Sequence, residues 1–348
     1  MRILFSLLLI FQINLTAYSL VDSTSTTQKI QINGFLDTYY QVGSLDFSPS
    51  FLYNFTVKNS PAINLGYLKL SNSNSNFRWN VALHQGTYVN KNYMQEPEGL
   101  RWINEANCGF SINSKQYIWF DLGIFPSFIG FESAISKDNL TLTRSIIAEN
   151  SPYFMSGFRF QMVGVRWQFS GFLLTGWQRI IPQKNNSFPA IGTQLVFQKD
   201  SKNSFNWSTY AGNEVVDNLN MARLFNNFYW QSKWSNRMQT VIGFDVGVQQ
   251  KTFNANWSSW LGASVISQVK LNNQLKLAGR LEFYSDPEKV IIQNANGGKL
   301  FGTSLNLDYN PLKSILIRIE YKRLGSNYQV FDNLNQIGFL TSSCGISF

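Results

Sequence analysis

The chain has 348 residues, 44% of them hydrophobic and 16% aromatic, and its 29 basic and 20 acidic side chains give a formal charge of +9. The bases are scattered singly between polar and aromatic neighbours rather than gathered on one face, which excludes the footprint of a nucleic-acid binder. Two cysteines, Cys108 and Cys344, are too few for a disulfide framework and lie far apart, so no bridge is expected.

Arg2, the apolar run from Ile3 to Phe11 and the small residues Ala17 and Ser19 form the order of a secretory signal, so residues 1–19 are expected to be removed. Their loss takes one base, Arg2, and no acid, leaving 28 bases against 20 acids, or +8. No later stretch supplies the run of about 18 apolar residues that a membrane-spanning helix needs. An exported chain of this kind is either soluble or a barrel.

From Lys29 onward, segments of alternating apolar and polar residues recur, the period of a sheet with two unlike faces. Ile30, Ile32, Leu36 and Tyr40 oppose Gln31, Asn33, Asp37 and Gln41, while Phe77, Trp79, Val81 and Leu83 oppose Arg78, Asn80 and His84. Trp102, Ala106, Cys108 and Phe110 oppose Arg101, Glu105 and Asn107; Ile118, Phe120, Leu122 and Ile124 oppose Trp119 and Asp121. The alternation stops between Phe125 and Gly157 and resumes at Phe158, Phe160 and Met162. Segments near 61–71, 168–180, 203–212 and 224–233 do not reveal their faces. Beyond Met238 the pattern is clear again, with Arg280 and Glu282, then Arg318 and Glu320, on the polar side. Leu340, Ser342, Cys344, Ile346 and Phe348 share one face of the last strand, an arrangement that resembles the signal by which outer-membrane barrels are recognised by their assembly machinery.

Alternation also fits a soluble sandwich, and the connections separate the two. Every second one is short and polar: 71–76, 113–115, 199–203, 233–236, 272–273 and 310–313. Those between are longer: 42–60, 90–99, 125–157, 181–188, 212–223, 251–256, 285–298 and 325–333. This predicts an all-β, transmembrane, antiparallel up-and-down β-barrel of about 16 strands, with short turns and both termini on the periplasmic side and outer-membrane lipid around it.

Several strings resemble the beta-barrel porin-2 (OmpL-like) family: Asn33-Gly34-Phe35-Leu36-Asp37-Thr38-Tyr39-Tyr40, Gly130-Phe131-Glu132 with Asn139, Arg144-Ser145, Pro152 and Gly157, and Gly176-Trp177-Gln178. Arg280-Leu281-Glu282-Phe283-Tyr284-Ser285-Asp286-Pro287 and Arg318-Ile319-Glu320-Tyr321-Lys322 continue the series in the family's order. Thr175 and Lys322 stand where the pattern has Asn and Arg. The resemblance implies an outer-membrane porin and supplies no catalytic residue.

The expected function is passive diffusion of small hydrophilic solutes without chemical change. The competing reading is a non-conducting adhesin or receptor that displays the long loops. His84, the single histidine, falls on the polar face with no Cys/His cluster beside it, so no metal, cofactor or catalytic group is expected. Arg78, Arg101, Arg280, Glu282, Arg318 and Glu320 are the expected lumen-lining charges. By analogy with general porins, the stretch 125–157, third among the long connections, folds inward. Glu132, Asp138, Arg144 and Glu149 then set a constriction opposite Arg78, Arg101, Arg280 and Arg318. Association into homo-oligomers depends on an outer-wall patch that alternation does not reveal.

Overall fold

The computed structural model describes residues 29–112, 117–186, 189–216, 219–251, 256–292 and 298–348. The proposed signal segment 1–19 and the turn 113–115 lie outside the described residues. Sixteen strands form the wall: β1 Gln31–Gly43, β2 Ala62–Ser73, β3 Phe77–Gln85, β4 Ile103–Ser111, β5 Ile118–Pro126, β6 Phe154–Val163, β7 Trp167–Leu174 and β8 Ala190–Gln198. They continue as β9 Asn203–Val216, β10 Leu219–Lys233, β11 Met238–Gln250, β12 Trp257–Lys270, β13 Leu275–Asp286, β14 Gly298–Leu312, β15 Ile315–Ser326 and β16 Gln336–Ser347. Each pairs antiparallel with its sequence neighbours, and β1 pairs with β16 to close the barrel. Closure is what the lipid demands, because an open edge would leave backbone N–H and C=O groups without partners in hydrocarbon.

The seam is finished by the last residue. Gly34 N donates to Phe348 O at 2.9 Å and Phe348 N returns a bond to Gly34 O at 3.1 Å. A Cβ on Gly34 would stand 2.1 Å from Cζ of Phe348, so the terminal ring lies directly over this glycine. Four of the other periplasmic turns share a device in which a short polar side chain replaces backbone partners. Asn74 accepts from the N–H groups of Asn76 and Phe77, Asp200 from Lys202 and Asn203, Ser235 from Arg237 and Met238, and Asn272 from Gln274 and Leu275.

The predicted faces are realised over most of the wall: Leu36, Tyr40, Val81, Phe110, Ile242, Leu281 and Leu305 point outward and are exposed, while Asp37, His84, Glu105, Asp121, Arg280 and Arg318 point inward and are buried. Four expectations are corrected. Ile124 is not on the lipid face but packs in an inner cluster with Tyr93 and Phe154. Arg101 is not on a strand, since β4 begins at Ile103 and Arg101 ends the 3-10 turn Glu98–Leu100 of the second outer loop. The stretch 212–223 is not a long loop, because the ladder between β9 and β10 runs on to Val216 and Leu219. The interruption is shorter than 125–157, because β5 extends to Pro126 and β6 starts at Phe154.

Candidate functional site

The third outer connection, L3 (127–153), is built to hold its own shape before it meets the wall. Asn139 accepts from Ser133 N at 2.7 Å and returns a bond to Ser133 O at 2.8 Å, closing a small loop around the 3-10 turn Ser136–Asp138. Further on, Ser145 caps a single helical turn, Ile146–Glu149, by accepting from Ala148 N. Glu132 accepts from the backbone N–H of Ser145 at 3.0 Å and also from its hydroxyl, tying the two arms together. Every residue from 141 to 150 is buried.

What buries them is the barrel's own interior. Starting at β1, Asp37 accepts from Ser136 Oγ at 2.7 Å. On β15, Arg318 donates to Ser136 O at 2.6 Å, Glu320 accepts from Thr143 N at 2.5 Å and Lys322 donates to Arg144 O at 3.0 Å. Asn306 of β14 accepts from Leu142 N, and on β13 Glu282 accepts from Ile146 N at 2.7 Å. Arg280, also on β13, donates to Thr143 O at 2.6 Å and to Thr141 Oγ1 at 2.9 Å. Gln268 of β12, Asp245 of β11 and Asn227 of β10 each hold a further point of L3, and Ser208 of β9 and Gln194 of β8 both donate to Phe128 O. Backbone groups of an irregular segment are thus satisfied one by one by wall side chains, which is the condition for a loop to lie inside a barrel.

Apolar side chains of L3 fit sockets in the same wall. A Cβ on Gly192 would lie 2.4 Å from Phe128, one on Gly243 2.2 Å from Phe131, and one on Gly262 2.4 Å from Ile147. These three inward-facing glycines let the loop approach the sheet more closely than any side chain would permit.

L3 lies between two aqueous regions. A cavity of about 510 Å³ on the outer side is bordered by Glu149, Asn150 and Ser151 of L3 together with Trp177, Glu214 and Arg223. Two cavities of about 360 and 260 Å³ on the periplasmic side are bordered by Asp138, Asn139 and Leu140, the first of them also by Glu132.

The four predicted loop charges therefore occupy different settings. Glu132 is enclosed and comes to 4.0 Å from Arg280. Arg144 is buried, with its guanidinium 3.8 Å from the centre of the Tyr153 ring and Nη2 donating to Ala148 O. Glu149 accepts from Tyr53 N at 2.6 Å, Asn54 Nδ2 at 3.1 Å and the Tyr153 hydroxyl at 3.2 Å, and burial holds its carboxyl above the ordinary range. Asp138 is exposed and borders both periplasmic cavities.

The wall charges divide in the same way. Arg280 and Glu320 pair at 3.0 Å with neither side chain accessible, and Arg318 pairs with Asp308 at 2.7 Å with 1% of its side chain accessible. Glu282 lies 3.6 Å from Arg280 and 3.2 Å from Lys322. These charges point inward as predicted but sit beneath L3. On the opposite wall, Lys69 pairs with Glu105 at 2.8 Å, and Arg78 and Arg159 both pair with Asp121, at 2.6 and 3.0 Å. Here the bases keep 24%, 21% and 22% of their side-chain surface. Arg101 turns its guanidinium to the carbonyls of Glu96 and Met94 within its own loop.

Lys69 was not legible as a lumen residue because its inward neighbours on β2, Leu65 and Tyr67, are apolar and break the alternation; they pack against Tyr88, Val89 and Tyr93 of the second outer loop. His84 does face inward, with Nε2 3.0 Å from Arg101 O, Nδ1 3.1 Å from Asn104 Nδ2 and its ring edge-on to Tyr93. Among the described residues no group of three metal-ligating side chains occurs.

The family model described as "Putative beta-barrel porin-2, OmpL-like" matches residues 29–348, and the chain belongs to that family of outer-membrane porins. Solved structures share the fold at low identity. An anion-selective porin from Comamonas acidovorans aligns with a TM-score of 0.61 at 7% identity over 92% of this chain and 100% of that one. OmpT of Vibrio cholerae in its trimer form gives 0.61 at 8% identity over 92% and 99%, and OprB of Pseudomonas putida gives 0.59 at 8% over 92% and 94%. No curated protein matches the chain.

Proposed function

We propose that this outer-membrane porin passes small hydrophilic solutes by diffusion through the part of the lumen left between L3 and the wall of β2 to β6. The observation that carries the reading is the contrast in accessibility. L3 is bonded to β1 and to β8 through β15, where the wall charges are sealed, whereas Lys69, Arg78 and Arg159 on the other side remain partly open to water. A solute crossing there would meet fixed charges of both signs, which replace part of its hydration as it is squeezed.

Three bases, Lys69, Arg78 and Arg159, stand against two acids, Glu105 and Asp121, and Asp138 of L3 supplies a third acid. This balance predicts weak ion selectivity. In this reading Asp138 meets the solute directly, while Glu132, Arg144 and Glu149 shape the constriction by holding L3 folded. No covalent step is involved. Display of the first outer loop as an adhesin is disfavoured, because its Phe51 and Phe55 are buried. We further assign recognition by the barrel-assembly machinery to β16 and its terminal Phe348, and association of copies to the outer wall, as in the trimer form of the Vibrio cholerae protein. Reconstitution in planar bilayers tests the main reading. Stepwise, ohmic conductance with little discrimination between potassium and chloride is expected, and an insulating folded barrel refutes it.

A further inference from the structure

The outer wall of β7 to β11 carries two adjacent aromatic rows, where that of β3 to β6 carries one, Phe77, Phe110, Phe120 and Phe160. Trp167, Phe197, Phe205, Trp230 and Ile242 are consecutive cross-strand partners, so they form one row across five strands near the periplasmic turns. The rings lie nearly parallel, with centroids 4.2 Å apart for Trp167 and Phe197, 6.4 Å for Phe197 and Phe205 and 6.1 Å for Phe205 and Trp230. One step higher, Leu195, Trp207, Phe228 and Phe244 form a second row, with Trp207 and Phe228 stacked at 5.7 Å. Together the rows enclose an apolar groove of about 430 Å³ on the outside of the barrel. Trp234 prolongs it toward the rim, edge-on to Trp230 at 5.5 Å and with its indole N–H on Thr240 Oγ1.

The three turns that end this wall carry Arg166, Lys199 and Arg237, all exposed. Lys202 and Lys233, at the same level, border the periplasmic cavity of the lumen instead. The one acid in these turns, Asp200, is already occupied by the N–H groups of Lys202 and Asn203. Of the other short turns among the described residues, 74–76 and 271–274 contain no base and 310–314 carries one, Lys313.

We propose that this groove and its basic rim bind an anionic phospholipid of the periplasmic leaflet, with an acyl chain along the two aromatic rows and the phosphate facing Arg166, Lys199 and Arg237. The apolar groove lies at hydrocarbon depth, where it receives a chain. The rim lies where that chain's headgroup must sit, and its charge is opposite to the phosphate. Flat stacked rings give a long, smooth contact for an alkyl chain, and bases at the membrane surface favour an anionic over a zwitterionic headgroup.

The test uses the full refolded barrel in phosphatidylcholine bilayers containing either dibrominated phosphatidylglycerol or dibrominated phosphatidylcholine, with tryptophan fluorescence as the readout. The anionic quencher is expected to match the zwitterionic one at a mole fraction roughly fivefold lower. The preference should vanish in the R166Q/K199Q/R237Q variant, which alters only exposed turn residues and should keep heat-modifiable migration. It should also vanish in W167F/W207F/W230F/W234F, which leaves the charges in place but removes all four reporters of the groove. Equal quenching by the two lipids in the native protein overturns the proposal, as does a preference that survives the charge substitutions. Failure of both lipids to quench, with chemical cross-linking of barrels, assigns the groove to a second copy and overturns it as well.

Discussion

Replacing Arg280 by methionine should release L3 from the wall. Its guanidinium makes four hydrogen bonds, to Thr141 Oγ1, Thr143 O, Thr143 Oγ1 and Glu320, and three of these end on L3. Methionine fills similar volume but leaves Glu320 without its base and Glu282 with Lys322 alone, both carboxylates being inaccessible to water. Breaking a buried, hydrogen-bonded pair by removing one partner costs about 3–5 kcal/mol. At tenfold per about 1.4 kcal/mol, the undocked fraction of L3 should rise on the order of a hundredfold to more than a thousandfold. In single-channel recordings this appears as frequent excursions to larger conductance, and in heat-modification gels as a lowered unfolding temperature. The double variant Arg280→Met/Glu320→Gln removes both charges and should recover part of the lost stability. An Arg280→Met barrel with native noise, native conductance and an unchanged unfolding temperature would show that the buried lattice does not hold the loop.

Gly243→Val places a Cβ where Phe131 now sits, 2.2 Å from its ring, and should destabilise the barrel by about 1–3 kcal/mol as overpacking does; a Gly279→Ala barrel, whose nearest neighbour would be 3.9 Å away, serves as the unstrained control in the same thermal assay. Asp121→Asn leaves Arg78 and Arg159 without their shared acid, so the reversal potential in a salt gradient should move toward chloride, while Arg78→Gln/Arg159→Gln should move it toward potassium; no shift in either would place the conducting path elsewhere. Lys58 of the first outer loop donates to Leu45 O at 2.9 Å with its ammonium 4.1 Å from the Phe339 ring centre, and burial lowers its pKa from 10.5 to about 8. Below about 8 it is charged in both folded and unfolded chains and the burial penalty is fully present; between about 8 and 10.5 the folded chain sheds the proton first and the penalty is relieved. The stability of the native barrel relative to Lys58→Met should therefore rise across that window, and parallel unfolding curves for the two from pH 7 to 10 would refute the assignment.

Strand alternation is a local signal, and it determined the barrel. Leu277, Leu281 and Phe283 facing away from Lys276, Arg280 and Glu282 call for a sheet with two unlike faces, and short turns alternating with long connections between such segments single out an antiparallel barrel in a membrane. The signal failed at β2, β7 and β9, where Leu65, Phe172 and Tyr210 are apolar yet face inward, because they pack against loops folded into the barrel mouth. Nothing local to those strands records that a loop will cover them. Likewise, the sequence shows Arg280, Glu282, Arg318 and Glu320 as inward-pointing charges, but only the tertiary structure decides that L3 seals them and leaves Lys69, Arg78 and Arg159 open to water. A side chain's face follows from a period of two residues along the chain, whereas its access to solvent depends on contacts such as Thr143 with Glu320, which join residues that lie far apart in sequence.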